Sequence, residues 1–157
     1  MTKKVLIIGQ SFSTIRVKGT PAFSNDYSGR RLRRWFGFED LKVFNEALSR
    51  NYRTTNLVLE QRDDISLVDI EANKSRLRKL LVDFKPDVVI LVGWKAREYM
   101  LGNFGMLIGE YVILPHPSTK NKAAEGKDDE IIGRLEYKGL RYYQNREEGD
   151  KEDDLGE

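Results

Sequence analysis

The only histidine of the chain, His116, stands between Pro115 and Pro117 in the segment EYVILPHPSTKNK, residues 110–122. Proline fixes its own φ and restricts the residue before it, so both neighbours reduce the backbone freedom of the histidine. One interpretation is a turn that happens to contain a histidine. The other is an imidazole fixed in place at the end of a strand, where α/β proteins bind their ligands.

Four apolar segments separated by helical patterns predict the framework that would hold this histidine. We expect strands over residues 3–9, 54–60, 86–93 and 110–115, and helices over 30–37, 39–50, 66–85 and 94–101. Residues 128–144 fit either a helix ending near Gly139 or a hairpin turning there, and we favour the helix. Strands alternating with helices predict a three-layer α/β/α domain with a central, mainly parallel four-stranded sheet.

In a parallel sheet the carboxyl ends of the strands lie at one edge, and ligands bind outside that edge. The residues expected there are Gly9, Gln10, Ser11, Asn56, Gly93, Trp94 and the stretch 115–118. The histidine is therefore expected at the same edge as a glycine turn and an asparagine. A long loop, residues 10–29, follows the first strand, and loops of that length in compact domains are usually functional or mobile.

Composition excludes several kinds of chemistry. The chain has no cysteine, which excludes disulfides, thiolate zinc sites, iron–sulfur clusters and cysteine nucleophiles. A single histidine excludes a metal site built on several histidines, and we expect neither a metal nor a cofactor. No segment reaches the roughly 20 apolar residues of a membrane-spanning helix. The first apolar run is too short for a signal peptide, so we expect a cytoplasmic protein without a membrane partner.

Charge is divided unevenly along the 157 residues, although the total is only +2. Residues 144–157 contain seven acidic and two basic residues, a net charge of −5, which leaves +7 on residues 1–143. The tail has almost no apolar residues, so we expect one folded domain over 1–143 and a disordered acidic tail over 144–157. A basic domain is typical of proteins with an anionic partner such as nucleic acid.

Five segments, in order over roughly residues 3–121, resemble motifs of the uracil-DNA glycosylase superfamily. VLIIGQSFS resembles the apolar strand that runs into Gly-Gln or Gly-Glu, and GTPAFSNDYSGRRL is similar to the Pro-Phe segment of the thermophile branch. YRTTNLV resembles the strand with the base-reading asparagine. FKPDVVILVGWKA and LPHPSTKN resemble the strand-glycine-x-x-alanine and His-Pro-Ser motifs. The chain is identified as a divergent member of this superfamily.

The resemblance implies excision of uracil or a related deaminated base from uracil-containing or mismatched DNA, after the nucleotide is flipped into a pocket. The base-binding residues it implies are Phe23, Asn56 and Gly9, with Phe23 stacked on the base and Asn56 hydrogen-bonded to its polar edge. A neutral His116 would donate to the oxyanion that develops on the departing base. Gln10 and Ser11 complete the implied catalytic set.

The first motif departs from the family pattern at these two positions. The best-known branch has an aspartate where this chain has Ser11, and the thermophile branch has a glutamate where it has Gln10. No carboxylate remains in the motif, and general-base help is worth roughly 10²–10⁴ in rate. The hypothesis that the chain is a weak or repurposed enzyme is therefore kept beside that of a fully active one. Asp26 is the acidic residue nearest to the first motif, and it either replaces the missing carboxylate or caps a turn.

The resemblance also implies a surface for the DNA backbone. The loop after the histidine would grip the strand, and its lysines, together with arginines of the helix at 30–37, would meet phosphates. The residues are Ser118, Thr119, Lys120, Asn121, Lys122, Arg30, Arg31 and Arg34. Structural alternatives stand beside these roles: Phe23 as a loop anchor, Asn56 as the holder of a strand-end turn, and the arginines as a solvated helix face.

Three functions remain open on the sequence. The leading one is a monomeric DNA glycosylase-like enzyme. The second is a protein on the glycosylase fold that binds DNA or a protein partner without cutting. The third is a hydrolase or binder of a free nucleotide, which the strand-end pocket of the fold favours.

Overall fold

The central sheet is parallel. The computed structural model describes residues 2–10, 22–23, 27–58, 70–117 and 126–146. These residues form a four-stranded sheet in the order β2-β1-β3-β4, with every neighbouring pair parallel. The strands are β1 (Val5–Gly9), β2 (Tyr52–Asn56), β3 (Val88–Val92) and β4 (Glu110–Leu114). The predicted four strands are confirmed, with β2 starting and ending earlier than expected.

Helices cover both faces of this sheet. The described residues contain α1 (Tyr27–Phe36), α2 (Leu41–Leu48), α3 (Lys74–Phe84), α4 (Trp94–Phe104) and α5 (Asp128–Tyr137), with a 3₁₀ turn at Gly105–Leu107. Val5 and Ile7 pack into the core beneath α1, α2 and α5, whereas Leu6 and Ile8 pack into the core beneath α3 and α4. Burial on both faces explains why the two central strands, β1 and β3, are unbroken apolar runs. The three-layer α/β/α prediction is therefore confirmed.

None of the helices within the described ranges has the length and apolar character needed to cross a membrane.

Helix α1 follows the predicted apolar stripe. Leu32, Trp35 and Phe36 are fully buried, while Arg30 and Arg34 lie on the exposed side. The helix begins at Tyr27, three residues earlier than the sequence pattern indicates. The stripe places one face of α1 in the core and leaves an arginine-bearing face outward.

The helix predicted over residues 66–85 is shorter than expected. A turn at Ala72 and Asn73 interrupts it, and α3 begins at Lys74. The backbone of Asn73 is non-helical (φ −104°, ψ 3°), and its Oδ1 accepts a hydrogen bond of 3.1 Å from Arg76 Nε. Residues 59–69, which include the predicted start of this helix at residue 66, lie outside the described residues.

Residues 128–144 form the helix that we favoured over a hairpin. Helix α5 ends at Tyr137, and Gly139 adopts a left-handed φ of +71°, a conformation that commonly ends helices.

The segment after α5 returns to the amino ends of β1 and β2. Asn145 is buried: its Oδ1 accepts from the Lys3 amide (2.7 Å), and its own carbonyl accepts from Asn51 Nδ2 (2.7 Å). The Tyr52 hydroxyl donates to the Leu140 carbonyl, and burial raises its pKa. Residues 144–146, counted with the tail on composition, thus pack against the domain, and residues 147–157 lie outside the described residues.

Asp128 joins the first turn of α5 to α1. Its carboxylate accepts hydrogen bonds from Arg31 Nε (2.8 Å) and Trp35 Nε1 (2.6 Å), and Arg34 Nη2 lies 3.1 Å away. Hydrogen bonding to Arg31, helped by Trp35 and the arginine charges, lowers the pKa of Asp128 to about 2. The stabilisation is therefore complete above the unfolded pKa of about 3.9 and is lost as pH falls through about 2.

We expect Asp128→Asn to reduce the free energy of unfolding at pH 7 by about 1–3 kcal/mol, because the variant loses charge-assisted hydrogen bonds. The difference from the unmodified chain should vanish as the pH is lowered from about 4 to about 2. Denaturant titrations over this pH range measure the difference in the free energy of unfolding. The control is Asp129→Asn, at an exposed residue of the same helix. Equal unfolding of both variants at pH 7 would contradict the assignment.

Candidate functional site

Strand register places the predicted residues at one edge of the sheet. Gly9 is paired with Asn56 across β1 and β2, and Val92 with Leu114 across β3 and β4. The chain then continues past the strand ends, with the Leu57 amide donating to the Gly9 carbonyl (2.9 Å). His116 follows two residues after β4 ends, so it belongs to the same carboxyl edge as Gly9 and Asn56.

Gly9, Phe23 and Asn56 form a tight cluster at this edge. A Cβ atom added to Gly9 would lie 2.5 Å from Asn56 Oδ1 and 2.6 Å from Phe23 Cζ. The carboxamide and the aromatic ring therefore both lie against the bare backbone of β1 at Gly9. Asn56 is only 3% exposed, and Phe23 is half-buried. The three base-binding residues expected from the sequence are brought together.

The backbone of Phe23 is strained. Its φ is +66°, in the left-handed region that bulky residues rarely occupy and that costs on the order of 1–3 kcal/mol. The preceding residue is held to the sheet, because Thr54 Oγ1 donates to the Ala22 carbonyl (3.2 Å). Such strained residues cluster at ligand sites. The conformation fixes the direction of the ring toward Gly9 and Asn56.

The side-chain amide of Asn56 forms no hydrogen bond with another described residue. Among the described residues, the hydrogen bonds at Asn56 involve its backbone, whose carbonyl accepts from Arg76 Nη2 at 2.7 Å. Arg76 is a functional candidate that sequence reasoning missed, since nothing in the local pattern around it indicates a partner in β2. The buried carboxamide keeps a donor and an acceptor for a ligand.

His116 lies on the other side of the edge, against Gly93. A Cβ added to Gly93 would lie 3.7 Å from His116 Cβ and 3.8 Å from Cδ2. The dihedral angles of Gly93 (φ +90°, ψ 160°) fall in a region that is essentially restricted to glycine. Gly93 thus lets β3 turn sharply into α4 while the half-buried histidine packs beside it.

The two sides are separated by the central strands. Asn56 is the last residue of the outer strand β2, and His116 follows the outer strand β4, with β1 and β3 between them. Three strand spacings put their backbones about 14 Å apart. Gly9 and Gly93, at the ends of the two central strands, add no side chain of their own to that interval, and Phe23 packs against Gly9. The carboxamide and the imidazole therefore belong to opposite sides of one sheet edge.

The predicted backbone-binding arginines occupy different environments. The Arg31 side chain is 10% exposed, pairs with Asp128 and places Nη1 3.5 Å from the Pro117 carbonyl, directly after His116. Arg34 is 62% exposed, although it also reaches Asp128, and Arg30 is exposed. Arg31 therefore ties α1 and α5 to the histidine segment, while Arg30 and Arg34 face the surface.

Several predicted residues cannot be placed. Ser11, Asp26 and the loop of Ser118, Thr119, Lys120, Asn121 and Lys122 lie outside the described residues. Gln10 is half-buried, and its carbonyl accepts from the Val58 amide (3.1 Å). Within the described ranges, no three His, Asp or Glu side chains form a group that could hold a metal ion.

One exposed aromatic residue stands beside the histidine side of the edge. Trp94 directly follows Gly93 and is 65% exposed, and Lys95 Nζ lies 5.7 Å from the centre of its ring. The sequence placed Trp94 at the sheet edge but gave no indication that its ring faces solvent. An exposed ring at this position offers a stacking surface next to the site.

A parallel α/β/α sheet with side chains gathered at its carboxyl edge defines an α/β protein with a ligand site at the strand ends. The family model of the uracil DNA glycosylase superfamily matches residues 1–136. Since the match spans most of the 157 residues, the chain belongs to the uracil-DNA glycosylase superfamily, a glycosylase-like family of DNA-acting proteins. The resemblance carried by the five sequence motifs is confirmed. No curated protein is similar enough in sequence to be matched with the chain.

We expect Gly9→Ala to disrupt the cluster, because the added methyl group would overlap Asn56 Oδ1 and Phe23 Cζ. The free energy of unfolding should fall by about 1–3 kcal/mol, as in overpacked cores. The matched control is Gly102→Ala in α4, where an added Cβ meets no atom within 4 Å. Replacing that helical glycine should stabilise the chain by roughly 0.5–1 kcal/mol. Denaturant unfolding of both variants tests the cluster, and a Gly9→Ala chain as stable as the control would contradict it.

Proposed function

We propose that this chain hydrolyses the N-glycosidic bond of uracil, or of a related deaminated base, in DNA. The observation that carries the proposal is the close approach of both Phe23 and Asn56 to the bare backbone of Gly9. An aromatic ring stacks on the face of a base. A carboxamide provides one donor and one acceptor side by side, which complements the carbonyl and N–H on the pairing edge of uracil.

His116 supplies the stabilisation of the leaving base. In the hydrolysis the bond between C1′ and the base nitrogen breaks, and its electron pair leaves with the base. Water adds its oxygen to C1′, and one of its protons ends on the released base. Negative charge develops on the base oxygen, and an imidazole N–H at the edge that also carries Asn56 donates to it. Loss of one such donor lowers rates by about 10²–10³.

Gln10 directly follows β1 and Ser11 is the next residue in the sequence; the attacking water is proposed to bind to these two side chains. Both side chains can hold a water by hydrogen bonds, and neither is a strong base. General-base help of roughly 10²–10⁴ is therefore reduced, which fits a slow enzyme.

We expect His116→Ala to reduce the rate of base release from a uracil-containing oligonucleotide about 10²–10³-fold. A gel assay with hot alkali reveals the abasic sites, and hypoxanthine and thymine-mismatch oligonucleotides in the same assay define the base. Tyr137→Ala, at an exposed residue of α5, is the control and should cut at the unmodified rate. Equal rates in the two variants would exclude His116 from catalysis.

The strand is proposed to lie across the carboxyl edge of the sheet, with Arg30 and Arg34 of α1 on the side of one core and Trp94 of α4 on the side of the other. The two arginines would meet phosphates, together with Ser118, Thr119, Lys120, Asn121 and Lys122 of the loop after the histidine. Our proposal gives Arg31 a supporting role instead, because its side chain is 10% exposed, pairs with Asp128 and lies against the Pro117 carbonyl. The exposed Trp94 ring would stack on a base next to the flipped nucleotide.

Binding of nucleic acid without cleavage is the second candidate function. It is favoured by Gln10 and Ser11, because neither provides the carboxylate that one branch of the family has at the first position and the other branch at the second. Both functions require the same surface, so they differ only in whether an abasic product appears.

The fluorescence of Trp94 can report nucleic-acid binding directly, because the other tryptophan, Trp35, is fully buried. We expect oligonucleotides to quench tryptophan fluorescence in the unmodified chain and to leave Trp94→Phe unquenched. The quenching should weaken as salt is raised, since phosphate contacts release counterions. Quenching without abasic product would indicate the non-cutting function, and quenching by free nucleotides alone would indicate a nucleotide binder. Oligonucleotide binding in a gel shift without quenching would exclude Trp94 from the interface.

A further inference from the structure

A half-buried arginine lies behind the base-binding asparagine. Arg76 of α3 donates from Nη1 to Thr55 Oγ1 (2.8 Å) and from Nη2 to the carbonyls of Asn56 (2.7 Å) and Leu57 (3.3 Å). Its Nε donates to Asn73 Oδ1 (3.1 Å). One guanidinium therefore binds the last residues of β2 to the turn that precedes α3.

The position of β2 explains why this contact matters. β2 is the outer strand of the described sheet, so a carbonyl on its outer side has no neighbouring strand to donate to it. Such groups remain mobile or need another donor. The planar guanidinium satisfies two adjacent carbonyls and a hydroxyl at once, in a geometry that lysine cannot reproduce.

The guanidinium of Arg76 donates its hydrogen bonds to uncharged oxygen atoms. Among the described residues, no carboxylate pairs with it, and burial lowers its pKa, although a guanidinium keeps its charge in proteins. Removing a cation from water without a counter-ion costs free energy. The hydrogen bonds to the end of β2 are what offsets this cost here.

We propose that Arg76 is a positioning residue that fixes the peptide of Asn56, so that the carboxamide stays against Phe23 and above Gly9. The inference rests on the proposed function of Asn56 in reading the base. The fit at this point leaves little tolerance, since Oδ1 of Asn56 lies 2.5 Å from the Cβ position of Gly9. Misplacement of a substrate-binding group by about 1 Å can lower the rate 10²-fold.

The test compares Arg76→Lys and Arg76→Gln with Arg78→Ala, an exposed arginine of the same helix. Assays are run below the unfolding temperature of each variant. We expect both Arg76 variants to lose about 10²-fold in kcat/KM on a uracil oligonucleotide and to discriminate less between uracil and cytosine, while Arg78→Ala matches the unmodified chain. Lysine keeps the charge but loses the planar fork, so its failure to rescue identifies positioning rather than charge.

A second measurement is independent of activity. The side-chain amide signals of Asn56 in an ¹H–¹⁵N spectrum, assigned by their loss in Asn56→Asp, should shift and broaden in Arg76→Lys and stay unchanged in Arg78→Ala. If the unmodified chain releases no base, the proposed enzymatic function fails, and these signals still decide whether Arg76 fixes Asn56. Unchanged signals in Arg76→Lys, or unchanged kcat/KM and base discrimination in an active chain, would overturn the inference.

Discussion

The parallel pairing of β1 with both β2 and β3 is the constraint on which the candidate site depends. β1 is central, every one of its five residues is buried, and its register sets Gly9 opposite Asn56. A slip of one residue would turn every side chain of the strand to the opposite face and would separate the glycine from the asparagine. The two apolar cores on either side of β1 make such a slip costly, so the hydrophobic layers determine where polar groups meet.

The site itself is assembled by three different means. At Gly9 a side chain is missing, at Phe23 the backbone is held in a left-handed conformation, and behind Asn56 an arginine occupies the outer carbonyls. None of these features is the lowest-energy choice for its own residue, because each costs conformational or desolvation free energy. Local conflicts of this kind, within a fold that is otherwise consistent with its sequence, are typical of functional sites.

The sequence was sufficient for the fold and for the order of residues at the sheet edge, because buried parallel strands read as apolar runs that end in glycine or polar residues. It could not separate Arg31 from Arg30 and Arg34, since only the fold buries Arg31 against Asp128, 97 residues away, and leaves the other two exposed. The break before α3 and the proposed role of Arg76 could not be predicted either, because both depend on contacts that only the fold creates. Asn145 lies in an acidic segment, yet burial against Lys3 and Asn51 places it in the domain.

Gly9 and Gly93, which lie between Asn56 and His116 at the sheet edge, restrict substitution for different reasons. Gly9 is required by the side chains that crowd it, so an alanine there becomes tolerable once those neighbours are also made smaller. Gly93 is required by its own dihedral angles, and no change in a neighbour relieves that demand. During evolution, Gly9 can therefore be replaced together with the residues around it. Gly93 must stay glycine in any related chain that keeps this turn, whatever its neighbours are.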